Sequence, residues 1–373
     1  MRVLQVIGAM DCGGAETVVM NLYRNMDRGK VQFDFVVHTR RECFYDREIR
    51  RLGGRIYRAE KYNVRNYFAY RGWWREFFRA HPEYRVVHGH IGSSAAIYLR
   101  EARCAGRYAV AHSHNTNGSG DSFLHRTAWQ ACSWPTRFAA DAFFGCSRQA
   151  GLDRYGSRVV NSERYRQFNN AIDGGRFSFS APARDRIRRE YGWENAFVVG
   201  HVGRFAPQKN HGRLLEIFRE VHDRERSARL LLLGEGPLEG EMRRKCAELG
   251  IEGAVAFVGV RADAQDYYSA MDVFCFPSLW EGLGMAAVEA QANGLPCVAA
   301  ESVPREADIG AGLFESLGLK QPDAIWADAL LARRGQPRMR GTEEYLKTAG
   351  YDIAGQARWL ARFYLAAAER KDL

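Results

Sequence analysis

Short apolar runs punctuate the first half of the chain at regular intervals: VLQVIGA (3–9), FDFVVHT (33–39), RVVHGH (85–90), YAVAHSH (108–114) and AFFGCS (142–147). Their length and β-branched or aromatic content predict strands. Between them lie amphipathic stretches such as TVVMNLYRNM (17–26) and YFAYRGWWREFFRAH (67–81), with apolar residues at helical spacing. Strands alternating with helices predict βαβ units and a parallel sheet. The alternation breaks at FNNAIDGGRFSFSAPARD (168–185), whose Asn, Gly, Ser and Pro predict a linker, and then resumes. The second series comprises FVVGHVG (197–203), ARLLLLGE (228–235), AVAFVG (254–259), DVFCFP (272–277) and PCVAA (296–300), with helices expected over 211–225 and 239–249. A last amphipathic segment, AGQARWLARFYLAAAER (354–370), predicts a terminal helix packing back on the first half. The expected architecture is α/β, with two doubly wound domains. These are residues 1–175, joined by 354–373, and residues 176–353.

With 373 residues, 46% hydrophobic and 26% charged, the composition is that of a folded protein large enough for two cores. The N-terminal MRVLQVIGAM reads as a first strand rather than a signal peptide, and no apolar run reaches the ~20 residues that span a bilayer. Eight scattered cysteines without a CxxC pair argue against structural zinc or a disulfide framework and fit a cytoplasmic location. The net charge of +10 is uneven: residues 1–175 hold 27 Lys and Arg against 16 Asp and Glu, whereas the remainder is nearly balanced. A basic half suits nucleic acid, an anionic membrane or a phosphorylated substrate. No nucleic-acid recognition motif accompanies it, and GxSxG, GxxxxGK[ST] and HExxH are absent.

Candidate chemistry falls just after strands, where doubly wound sheets bind ligands. In GAMDCGGAET (8–17), Gly13 and Gly14 open a helix; either a tight turn or an approaching phosphate explains them. In VGRFAPQKNH (202–211), Arg204 and Lys209 bring two cations to a strand end, suited to a diphosphate clamp unless they are merely solvated. In PSLWEGLGMAAVEAQANGLPCVAA (277–300), Gly282 and Gly284 flank a turn that leaves the backbone N–H groups of Leu283 and Met285 available. Glu281 sits in that turn, and Glu289 shares a helix face with Met285. Each carboxylate suits a pair of sugar hydroxyls. His88, His90, His112 and His114 form two HxH pairs at strand ends; a metal site, buried structural histidines and a single hydrogen-bonding or acid–base histidine are all open.

In combination and order, GGAET (13–17), GRFAPQKN (203–210), GEGP (234–237), NNAID (169–173) and Glu-x7-Glu with Gly-Leu-Gly resemble the family-4 retaining glycosyltransferases of GT-B fold, most closely the bacterial exopolysaccharide type. The likeness runs over nearly the whole chain. It implies two Rossmann-like domains facing across a cleft and transfer of a hexosyl or N-acetylhexosaminyl group from a nucleotide sugar, by default a UDP-sugar. It also implies a sugar or lipid-linked acceptor, retention of configuration, and no metal or other cofactor. Carried over by position, Arg204 and Lys209 would hold the diphosphate, with Gly13 and Gly14 nearby. Glu281, Gly282 and the amides of Leu283, Gly284 and Met285 would meet the transferred sugar and phosphate, Glu289 the ribose, and Val260 and Arg261 the base. His114 matches the family's cleft histidine, and same-face attack leaves Glu281 as a positioning group rather than a nucleophile. Two features depart from the family: Glu-Gly-Leu-Gly where Glu-Gly-Phe-Gly or Glu-Gly-Leu-Pro is common, and NNAID in place of NGID. A sugar-nucleotide epimerase of the same fold and a non-catalytic sugar-nucleotide-binding protein are the rival readings. The aromatic and arginine-rich stretches YFAYRGWWREFF and SFLHRTAWQACSWPTRF suggest in addition a peripheral seat on an anionic membrane.

Overall fold

The computed structural model describes residues 1–11, 13–114 and 134–369. The chain forms two compact units: Met1–Ile172 together with the chain from Tyr351 onward, and Asp173–Gly350. Each boundary lies three residues before the position expected from the sequence.

The first unit is built on a seven-stranded parallel sheet. Its strands are β1 (Arg2–Ile7), β2 (Gln32–Val37), β3 (Ile56–Arg58), β4 (Tyr84–Gly89), β5 (Tyr108–Ser113), β6 (Ala142–Gly145) and β7 (Tyr165–Gln167), in the spatial order β3-β2-β1-β4-β5-β6-β7. Successive strand residues face opposite layers: Val3, Val86 and Phe144 enter one core, while Leu4, Val87 and Phe143 enter the other. The first core is closed by the C-terminal helix Ile353–Glu369, which contributes Ile353, Leu360 and Tyr364 and packs on the helix Gly14–Asn25. The second core is closed by the helices Tyr67–Ala80 and Ala95–Cys104 through Trp74, Phe78, Tyr98 and Leu99.

The second unit repeats the plan with six parallel strands: β8 (Phe197–Val202), β9 (Ala228–Leu233), β10 (Val255–Gly259), β11 (Val273–Phe276), β12 (Cys297–Ala300) and β13 (Phe314–Leu317), ordered β10-β9-β8-β11-β12-β13. In both sheets the order reverses beside the unit's first strand, so a ligand crevice opens at the carboxyl ends of β1 and β4 and again at those of β8 and β11.

Two expectations are corrected. The segment 168–185 is not an irregular linker: it carries a helical turn, Gly174–Phe177, capped by Asp173, and the start of the helix Ala181–Tyr191. Ser180 caps that helix, Pro182 stands in its first turn, and Arg184 and Arg188 each reach Asp272 at 2.6 Å. In YFAYRGWWREFF, Trp74, Phe77 and Phe78 are core residues, whereas Phe68 is 83% exposed. Most of SFLHRTAWQACSWPTRF (122–138) lies outside the described residues; Trp134 and Phe138 at its end are exposed. No helix among the described residues is long and apolar enough to cross a membrane.

Candidate functional site

The second unit gathers most of the chemistry at its switch point. β8 ends at Val202, and the chain runs through Gly203 and Arg204 into a 3-10 turn, Pro207–Lys209. Asn210, at φ 54°, then turns it into the helix His211–Arg224; asparagine tolerates this left-handed conformation better than most residues. The Asn210 side-chain amide donates to the Pro277 carbonyl at 3.1 Å, and the Leu279 N–H donates to the Gln208 carbonyl at 2.8 Å. These bonds fasten the loop after β8 to the loop after β11. Glycine is required where the GEGP turn packs against them: a Cβ on Gly234, at φ 132°, would stand 2.1 Å from the Gly203 carbonyl oxygen.

This fastening brings Lys209 to Glu281. Lys209 Nζ donates to Glu281 Oε1 at 2.7 Å, with the two side chains only 17% and 6% exposed. Lys209 also lies 4.9 Å from the centre of the Phe276 ring. Gln208 Nε2 donates to Glu281 Oε2 at 3.3 Å and to the Trp280 carbonyl at 3.0 Å. Glu281 is therefore held as a fixed acceptor. Arg204 is exposed, and no acidic residue pairs with it among the described residues. The two cations expected to act alike thus differ: one charge is neutralised beside Glu281, the other is open to an anion.

Beyond Glu281 the backbone turns at Gly284, φ 92°, which caps the helix Met285–Ala292. Such a helix start leaves its first N–H groups without intrahelical partners, and they point toward the loop. Leu283 is buried, while Gly282 and Met285 are half-buried. Glu289, on the same helix, accepts from Tyr268 Oη at 2.8 Å. Burial pushes the Glu289 carboxyl up to about 7, against the Tyr268 hydrogen bond and the charges of Arg176 and Lys209, which pull it down. Val260 and Arg261 lie just past β10, both exposed; Arg261 bonds Asp263 at 3.0 Å and stacks on Tyr267.

In the first unit Gly13 caps the helix Gly14–Asn25, and a Cβ there would fall 2.3 Å from Glu16 Oε2. The Glu16 carboxylate therefore lies across the helix start, where an anion was expected, and burial raises its pKa. The four candidate histidines lie together. β4 and β5 are neighbours, and alternation puts His88 and His112 on the layer covered by the C-terminal helix. The His112 and His114 rings stack at 4.1 Å, and His90 Nδ1 lies 2.8 Å from His114 Nε2. Burial keeps all four imidazoles neutral: His88 falls to about 3, His114 to about 4, and His90 and His112 also drop well below their ordinary value.

Gln208, Tyr268, Gln5 and Tyr364 escaped the sequence reading. Gln208 and Gln5 stood inside motifs already quoted, but an amide carries no spacing signature. Tyr268 and Tyr364 arrive from helices whose sequence shows only apolar periodicity.

The region 196–322 matches the family model for Glycosyl transferases group 1, and 12–176 matches that for Glycosyltransferase Family 4. The chain is 34% identical to EpsF of Bacillus subtilis, designated a glycosyltransferase, over 99% of this chain and 97% of that protein. It is 26% identical to the UDP-Gal:α-D-GlcNAc-diphosphoundecaprenol α-1,3-galactosyltransferase of Escherichia coli, covering 58% of this chain and 57% of that one. Among solved structures it superposes on Anabaena HepE in complex with UDP-glucose at a TM-score of 0.74, with 18% identity and 99% and 98% of the two chains covered. WaaG, a glycosyltransferase involved in lipopolysaccharide biosynthesis, superposes at 0.71 with 15% identity, over 99% of each chain.

Proposed function

Because this chain belongs to the group 1 glycosyltransferases of family 4 and has their GT-B fold, we propose that it moves a hexosyl or N-acetylhexosaminyl group from a UDP-sugar to a sugar or lipid-linked acceptor in polysaccharide synthesis. The observation that carries the donor reading is the buried Gln208–Lys209–Glu281 cluster beside the glycine-capped helix that bears Glu289. Glu281 is an oriented acceptor for hydroxyls of the transferred sugar, and Glu289 for those of the ribose. Arg204, Lys209 and the N–H groups from Leu283 to Met285 stabilise the departing diphosphate, an electrostatic contribution that asks for neither a metal nor a covalent nucleophile. Val260 and Arg261 flank the base. His114 contacts sugar hydroxyls, and transfer retains configuration.

The first unit takes the acceptor. A cavity of about 740 Å³ lined by Tyr62, Ile97, Arg100 and Phe138 suits the apolar and phosphate parts of a lipid-linked sugar. Exposed Val64, Phe68 and Trp134 near Arg65 and Arg137 suit the peripheral contact with an anionic membrane. Co-sedimentation with anionic vesicles at low salt tests this contact, and no binding removes it.

A thermal-shift panel of nucleoside diphosphate sugars tests the donor reading. The expected result is stabilisation by at least one UDP-sugar and its loss in Glu289→Ala. No stabilisation of the wild type by any of them rejects the reading. Stabilisation unchanged by Glu289→Ala rejects the ribose assignment.

A further inference from the structure

The turn that opens the second unit, Gly174–Phe177, is fastened at both ends. Asp173 accepts from the Arg176 backbone N–H at 3.1 Å, and the Phe177 carbonyl accepts from Asn293 Nδ2 at 2.8 Å. Asn293 is buried and directly follows the helix Met285–Ala292, so the turn is tied to the element that bears Glu289. From this anchored turn the Arg176 side chain crosses to the loop after β10, where Nη2 donates to the Ala262 carbonyl at 2.7 Å. Ala262 follows Val260 and Arg261, the two residues assigned to the base. Arg261 itself is turned to its own loop, paired with Asp263.

Arg176 acts on the ribose side as well. Glu289 is half-buried, and Tyr268, from the helix Ala264–Ala270, donates to it at 2.8 Å. The charges of Arg176 and of Lys209, from the loop after β8, both favour its anion. Behind it, burial keeps the Cys275 and Cys297 thiols of β11 and β12 protonated. Arg305, Glu306 and Asp308, in and beside the 3-10 turn Arg305–Ala307, are exposed. A carboxylate accepts from two hydroxyls when ionised, whereas a protonated one offers a donor in place of an acceptor.

We propose that Arg176 is a positioning residue for the nucleoside of the donor: it holds the base loop at Ala262 and keeps Glu289 ready to accept the ribose hydroxyls. This role rests on the donor reading for the identity of the ligand.

The test is calorimetric titration of the full chain with UDP at pH 6.5 and 8.5. Wild-type affinity should be higher at pH 8.5, where Glu289 is ionised. Arg176→Leu should weaken binding about fivefold at pH 8.5, the loss expected for one hydrogen bond. At pH 6.5 the loss should be about threefold larger still, because Glu289 holds its proton to higher pH once the cation is gone. Arg176→Lys, which keeps the charge, should restore the wild-type ratio between the two pH values. Arg176→Gln, also uncharged, gives the same reading as Arg176→Leu should that variant not fold. With UDP-glucose as substrate the fivefold loss at pH 8.5 should appear in KM, with kcat within about twofold. Affinity unchanged in Arg176→Leu at both pH values overturns the proposal. An equal loss at both overturns the hold on Glu289, and no loss at pH 8.5 overturns the hold on the base loop. If the wild type binds no UDP, the donor reading fails, and ¹³C titration of the Glu289 carboxyl in the ligand-free chain still decides what Arg176 does. A midpoint moved to higher pH by Arg176→Leu supports its hold on Glu289, and an unmoved one overturns it.

Discussion

Lys209 and Glu281 stand 2.7 Å apart and nearly out of water, so each is expensive to keep without the other. Lys209→Ala, which leaves the Glu281 carboxylate buried without its cation, should lower unfolding stability by about 3 kcal/mol in chemical denaturation. Combining it with Glu281→Gln should recover much of that loss. Glu289 has the opposite character, being a carboxyl destabilised as an anion. Its folded-state pKa lies near 7 against an ordinary 4.5, so the folded state binds the extra proton between those values. Stability therefore falls as pH rises through this window, by up to about 3 kcal/mol. Glu289→Gln should accordingly melt higher than the wild type above pH 7.5, with the advantage fading toward pH 4.5. If ribose hydroxyls donate to Glu289 as proposed, they favour its anion, so UDP binding should release up to one proton between about pH 4.5 and 7. Calorimetry in buffers of different ionisation enthalpy would detect that release. The sequence showed both glutamates and the loop-to-helix turn that joins them. It did not show that one is paired and the other desolvated, because Lys209 and Tyr268 reach them from segments 72 and 21 residues away.

At the scale of elements, the long apolar runs located ten of the thirteen strands among the described residues, and helical periodicity located the major helices. The missed strands, Ile56–Arg58, Tyr165–Gln167 and Phe314–Leu317, are three or four residues long and lie at sheet edges. An edge strand buries little, so its pairing is dictated by its neighbour rather than by its own pattern. The helix at 181–191 was hidden by the Gly, Ser and Pro that precede it, although Ser180 and Pro182 form a legitimate helix start. The helix Tyr67–Ala80 divides its aromatics between two environments. Trp74→Ala should cost about 3–5 kcal/mol of stability, whereas Phe68→Ala should leave stability within about 0.5 kcal/mol and weaken vesicle binding. Gly284→Ala forces a side chain into a left-handed backbone 3.0 Å from Val303, and should lower the melting temperature and the affinity for UDP together.

For the whole molecule, the two-sheet plan was legible because alternation of strand and helix is written twice with a break between. The return of the final helix was legible from its apolar spacing, but its contribution to the histidine cluster was not, since Tyr364 and His88 are 276 residues apart. The second unit is continuous in sequence and has its own core around Leu230, Phe218 and Trp326. Residues 173–350 alone should fold cooperatively and bind UDP, whereas the chain ended at 350 should show no cooperative melting of its first unit.

That discontinuity sets an order of events during synthesis. Every residue of the second unit leaves the ribosome before the helix Ile353–Glu369 that completes the first. For a short interval each new molecule carries a finished second unit and an unfinished first one; if the second unit binds the donor as proposed, a chain cut short at that point would capture donor without delivering it.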